Sequence, residues 1–168
     1  MAINQKNVGA DLSASNVDIE QVRINPHLHL ETCFAQIQQQ RMADVPILNP
    51  KLHVQAVDFR LYQGAWLGIL ITPWFMNLLY WRDDELAAGE KIKHHFPAGE
   101  FEFVVGYEND LGFYQTCSLY SPMFDFEEQE VAVQTAQAAL NALLEIPQPP
   151  KISRRDLLRG RFSNRETP

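Results

Sequence analysis

A chain of 168 residues, 46% hydrophobic and 21% charged, suits one folded domain with a substantial core. Its formal net charge of −7 excludes generic nucleic-acid binding, which needs a basic surface to displace counterions. That charge is uneven: residues 151–168 hold six Lys/Arg against two Asp/Glu, so a basic tail follows an acidic body.

Residues 1–23 are polar, lack a sustained period and contain no apolar core of signal-peptide type, and they read as a flexible leader. A single α+β domain is expected over 24–150, with 151–168 as a basic C-terminal tail. Asn25-Pro26 is a helix start, Asn at the cap and Pro in the first helical position. Leu30, Cys33, Phe34, Ile37 and Arg41 then recur at spacings of three and four, which predicts an amphipathic helix over Pro26–Ala43.

Leu52–Tyr62 alternates, but its phase slips, so a bulge or break is expected near Ala56-Val57. Gln63-Gly64 is a turn, and Ala65–Thr72 is apolar on both faces, as a covered central strand should be. The whole stretch Leu61–Trp81 runs twenty-one residues without a charge and carries all three tryptophans. Its length approaches a membrane span, yet Pro73 would break a helix at its middle, so stable membrane insertion is not expected.

Trp74–Trp81 is a short aromatic element without a clear period, and charged Arg82–Lys93 reads as loop or short helix. Phe101–Tyr107 and Phe113–Leu119 form a hairpin around Glu108–Gly112. Asp125 and Glu128 suggest a capping box for a second helix, whose inner stripe would be Ala132, Ala136, Ala139, Leu140 and Leu143. Pro147, Pro149 and Pro150 stiffen the exit. The expected fold is therefore α+β, an antiparallel sheet of about four strands with two main helices packed on one face.

Enzyme chemistry finds little support. There is no Gly-rich phosphate loop, no GxSxG elbow and no HExxH helix. No catalytic residue, metal ligand set or cofactor site is assigned. His27, His29 and the pair His94-His95 read as solvated, and Asp83–Glu85 as an acidic corner. Cys33 and Cys117 form no CxxC pair and read as packed, reduced thiols, consistent with a cytoplasmic protein. A small-ligand, redox or metal-binding module with a pocket near Cys117 is the alternative from another class.

Two features point to a partner instead. Trp74-Phe75-Met76 follows a proline and is hard to bury entirely, so it reads as an adaptable apolar surface. The tail segment around Arg154, Arg155 and Leu158 pairs arginines with leucines, suited to an acidic, partly apolar groove.

The segments GAWLGILITPWFMNLL, FPAGEFEFVVG, QTCSLYSPMFDF and SRRDLLRGRF, in this order, resemble the HybE-type chaperones of [NiFe]-hydrogenase assembly, also called HupJ-like. The resemblance spans about Pro26–Phe162. It implies a non-enzymatic, cytoplasmic accessory protein that binds hydrogenase precursor subunits, notably the small subunit with its twin-arginine signal peptide, until cofactors are inserted. Some relatives carry a rubredoxin domain with CxxC pairs, which this chain lacks. Ser153–Leu158 itself resembles the twin-arginine pattern S-R-R-x-F-L without a following apolar segment. The working surface expected from the whole reading comprises Trp74, Phe75, Met76, Leu119, Ser121, Pro122, Met123, Arg154, Arg155 and Leu158.

Overall fold

The computed structural model describes residues 26–145 apart from position 83. Two helices, α1 (His27–Arg41) and α2 (Gln129–Leu144), flank six strands. These are β1 (Gln55–Tyr62), β2 (Ala65–Ile71), β3 (Met76–Trp81), β4 (Lys91–Phe96), β5 (Gly99–Glu108) and β6 (Gly112–Tyr120). They form one sheet in the order β1-β2-β3-β6-β5-β4, with every neighbouring pair antiparallel.

The α+β class holds, but the sheet has six strands rather than four. The two extra strands escaped for opposite reasons. β3 is covered on both faces, Leu78 and Tyr80 on one and Leu79 on the other, so it shows no alternation. β4 lies at a sheet edge, and Lys91, Lys93 and His95 give it the look of a charged loop. Its inward residues, Ile92, His94 and Phe96, nevertheless keep the two-residue period of a strand.

The helices pack on opposite faces, not on one. Ala65, Leu67, Ile69 and Ile71 of β2 share a core with Ala132, Ala136, Leu140 and Leu143 of α2. Leu70 of the same strand joins Leu30, Cys33 and Phe34 of α1 instead. The central strands are therefore apolar on both sides because each side has its own helix.

The sheet is also strongly curled. Laid flat, six strands would hold the two edges roughly 24 Å apart at about 4.8 Å per strand. Yet Tyr62 on β1 stacks on Phe96 of β4, at opposite ends of the strand order, with ring centroids 5.5 Å apart. Tyr62 and Phe96 belong with the core that α2 covers, so α2 lies on the concave face and α1 on the convex one.

Local chemistry sets the turns. Gln63 and Gly64 both have positive φ (51° and 81°), the geometry of a two-residue hairpin that matches strand twist. The phase slip in β1 is a bulge, two residues later than the sequence suggests: the register shifts between Val57 and Arg60, and Asp58 has φ 51°. The slip sends Val57 into the concave core and Phe59 into the convex one. At the free edge of β1, Glu31 Oε1 accepts the Ala56 backbone N–H (2.9 Å) and His27 Nε2 accepts that of Phe59 (3.3 Å). Side chains of α1 thus occupy hydrogen-bonding groups that an edge strand would otherwise expose.

The inner stripe of α2 is as its spacing predicts, with Ala132, Ala136, Leu140 and Leu143 buried and Ala139 packed against them. The expected capping box is not formed: the helix begins at Gln129, Glu128 is the cap, and no side chain caps it. Gln129 instead engages the approach to β1, its Oε1 accepting the His53 N–H (3.1 Å) and its Nε2 donating to Gln55 Oε1 (2.8 Å).

Candidate functional site

The residues singled out on either side of Pro73 and after β6 meet at one corner of the sheet. The turn Thr72–Phe75 joins β2 to β3, and the Thr72 hydroxyl accepts from the backbone N–H of Trp74 (3.3 Å) and of Phe75 (2.9 Å). Met76 pairs with Tyr120 at the end of β6, and the chain passes at once into Ser121-Pro122, joined by a cis peptide bond. Ser121 Oγ donates to the Trp74 carbonyl at 3.3 Å, linking the two segments.

Asn49, which the sequence did not single out, holds this corner from beneath. Its backbone N–H donates to the Pro73 carbonyl (2.8 Å), and its Nδ2 donates to the carbonyls of Met123 (2.9 Å) and Phe126 (2.7 Å). Its Oδ1 accepts the Lys51 N–H at 3.0 Å. One buried amide therefore fixes three loops that are far apart in sequence. Asn49-Pro50 reads locally as an ordinary turn, so only the fold reveals its role.

The exposure expected of Trp74-Phe75-Met76 is not found. Trp74 is 8% exposed and Met76 fully buried, on opposite faces of the sheet; Phe75 alone is half-buried. Trp74 and Phe34 each meet the Phe75 ring edge-on, at centroid distances of 5.4 and 5.9 Å. Met123 is buried too, whereas Leu119 is half-buried and Ser121 and Pro122 are exposed. The large apolar side chains that do reach the surface here are Tyr120 (43% exposed) and Phe124 (54%). Arg154, Arg155 and Leu158 lie outside the described residues, as does the leader.

The histidines also divide differently from their sequence reading. His95 is exposed and pairs with Glu100 at 3.1 Å, while His94 turns inward. Its Nε2 is 2.5 Å from Oε1 of the buried Gln115, and its ring lies 4.4 Å from that of Tyr80 and 5.1 Å from that of Phe103. This is a satisfied polar contact within an aromatic layer. His27, far from being solvated, packs edge-on against Phe59 at 5.5 Å.

The chemistry on offer does not favour a nucleophile. Burial pushes the Cys117 thiol up from its ordinary value, the reverse of what an activated cysteine needs. Cys33 is raised as well, first by burial and then by Glu108 and Asp110. It borders a polar cavity of about 260 Å³ between α1 and the β5–β6 hairpin, across which Arg41 pairs with Glu108 at 2.7 Å. Among the described residues no three His, Cys, Asp or Glu side chains group to hold a metal, and no helix is long and apolar enough to cross a membrane.

The family described as "[NiFe]-hydrogenase assembly, chaperone, HybE" matches residues 25–160. The chain is 36% identical over 145 residues to the hydrogenase expression/formation protein HupJ of Bradyrhizobium diazoefficiens, covering 79% of this chain and 86% of that one. It is 32% identical over 155 residues to the hydrogenase-2 operon protein HybE of Escherichia coli K12, covering 87% and 96%. The fold is similar to the solution structure of HybE from Escherichia coli, with a TM-score of 0.59 at 29% identity over 83% of this chain and 91% of that one. The profile, the relatives and the shared fold agree: this chain belongs to the HybE family of [NiFe]-hydrogenase assembly chaperones.

Proposed function

We propose that the protein holds precursor subunits of a [NiFe] hydrogenase in the cytoplasm, the small subunit with its twin-arginine signal among them, until their cofactors are in place. The contact surface is the corner where the Thr72–Phe75 turn meets the end of β6, with Phe75, Tyr120, Pro122 and Phe124 as its exposed or half-buried side chains and Leu119 and Ser121 beside them. The tail residues Arg154 and Arg155 add charge selection, and Leu158 adds an apolar contact. The observation that carries this reading is the pairing of exposed aromatic side chains with a backbone pinned by side-chain hydrogen bonds. Tyr120 and Phe124 stand in solvent, while Asn49, Thr72 and Ser121 fix the segments that bear them.

Such an arrangement suits binding to an incompletely folded client. Rigid aromatic anchors present large apolar area at little cost in ordering, and a few of them usually dominate an interface. Charged groups then choose among partners more than they add affinity. The corner holds no reactive group, so the protein's part is to occupy and release a surface of the client.

The test is co-purification of the protein from cells with and without the hydrogenase operon, followed by titration with the recovered precursor. Recovery of a small subunit with its signal uncut is expected. A Tyr120→Ser/Phe124→Ser variant with an unchanged melting temperature should bind it at least tenfold more weakly. Wild-type affinity in that variant, or recovery of mature enzyme alone, would reject the reading.

A further inference from the structure

On the concave face the last turns of α2 do not close fully on the sheet. An apolar cleft of about 250 Å³ remains between them. Ile69 and Leu78 come from the sheet centre, Phe101 and Leu119 from its β5–β6 side, and Ala139 and Leu143 from the helix. Alanines on the helical side make the room, since a larger residue at 139 or 142 would fill it. Every residue lining the cleft is apolar, so water there finds few hydrogen-bond partners.

The chain itself leads to this cleft. Leu143 lines it, and the Leu143 carbonyl accepts the N–H of Ala98, another lining residue, at 3.2 Å. One residue beyond the end of α2, Glu145 is extended (φ −77°, ψ 133°), and 23 residues follow it. The eleven residues between Glu145 and Leu157 reach roughly 35 Å when extended, while Ala139–Leu143 is only about 6 Å long. A return to the cleft is well within that reach.

The segment also matches the cleft in chemistry. Leu157 and Leu158 are adjacent aliphatic residues in an otherwise charged stretch, with Arg154 and Arg155 just before them. The last turn of α2 carries no basic residue and is followed by Glu145, so the negative end of its dipole lacks a cationic partner from its own turn. The family match continues to residue 160, fifteen residues past Glu145 and through both leucines. The sequence shared with the family thus includes this stretch.

We propose that this cleft is the docking site of the chain's own C-terminal segment: Leu157 and Leu158 fill it, and Arg154 and Arg155 lie against the C-terminal end of α2. This occupancy is intramolecular and forms without a client; a client that engages Arg154, Arg155 and Leu158 would have to draw the segment out of the cleft. It keeps an apolar surface covered when no partner is present, and a competing apolar segment would have to displace it.

The experiment compares amide and methyl NMR spectra of the full-length protein with those of a full-length Leu157→Asp/Leu158→Asp variant. A synthetic peptide of residues 151–162 is then added to the variant. Signals of Leu119, Ala139 and Leu143 should shift in the variant while those of Leu30 and Phe34 on the convex face stay fixed. The peptide should move the cleft signals back toward their wild-type positions. Coincident cleft spectra would overturn the proposal, as would shifts that the peptide does not reverse. Cleft shifts in the wild type that grow with protein concentration would assign the site to a second copy and overturn it equally. No hydrogenase subunit is present, so failure here leaves the client-binding reading standing.

Discussion

The ring of Phe59 lies where the side chain of residue 68 would be. A Cβ built on Gly68 would lie 2.4 Å from Cδ2 and 2.5 Å from Cγ of that ring, far closer than any van der Waals contact. The bulge between Val57 and Arg60 in β1 aims Phe59 across the neighbouring strand, and the glycine in β2 leaves the space. His27 closes over the ring from α1. Gly68→Ala should therefore destabilise the fold by about 2 kcal/mol, in the range of over-packed cores. In a Phe59→Ala background the same change should cost far less, because the two sites are directly coupled. Urea unfolding of the four proteins of this cycle measures both quantities. Equal costs in the two backgrounds would show that the ring is not what excludes a side chain at 68.

Asn49→Ala removes the donor to two buried-loop carbonyls, those of Met123 and Phe126. Leaving such groups unpaired costs on the order of 1–3 kcal/mol each, less whatever water recovers. A loss of roughly 2 kcal/mol is expected in denaturant titration. Faster amide exchange should follow in residues 121–126 specifically, while the β4–β5 hairpin should keep its protection.

Trp74→Ala should behave as a core truncation. The side chain is 8% exposed and packs in the convex core with Phe34 and Phe75 near it. A loss of about 3–5 kcal/mol is expected, read as a drop in melting temperature. The residue is thus a poor probe of client binding, whereas Phe124, at 54% exposure, can be changed without touching the core.

Stability should fall on the alkaline side, with a defined contribution from Tyr114. Its ring lies over Gly106, where a Cβ would approach Cζ to 2.6 Å, and burial pushes its phenol up to about 12. The folded state holds this proton more tightly than the unfolded chain, whose tyrosines ionise near 10. The contribution is therefore complete below pH 10 and is lost as pH rises toward 12. Between those limits Tyr114 alone should remove on the order of 2 kcal/mol. Tyr114→Phe should flatten that part of the profile. A residual slope should remain from Tyr80, Cys33 and Cys117, all raised by burial. An unchanged slope in the variant would mean that Tyr114 is solvated in the folded protein.

Much of this fold is written in local pattern. The stripes of α1 and α2, the Gln63-Gly64 turn and the β5–β6 hairpin follow from periodicity and turn chemistry that neighbouring residues share. The slip in β1 shows as a change of parity, though its exact position does not, because a bulge is located by the partner strand. The family resemblance rested on four ordered segments of sequence, and the profile and relatives bear it out.

Other features exist only when distant segments meet. Asn49 is one more turn residue until its amide faces Met123 and Phe126, 74 and 77 positions away. His94 reads as solvated until β4 pairs with β5 and turns it toward Gln115 and Phe103. Hydrophobicity marked Trp74, Phe75 and Met76 as one exposed surface, but Trp74 leaves the turn before β3 for the convex core, while Met76, the first residue of β3, enters the concave one. Sequence alone determined the apolar stripes of the two helices, the main turns and the order of the elements along the chain. The tertiary structure decided which face each residue joined, since face and layer depend on strand pairing and on which helix covers each side.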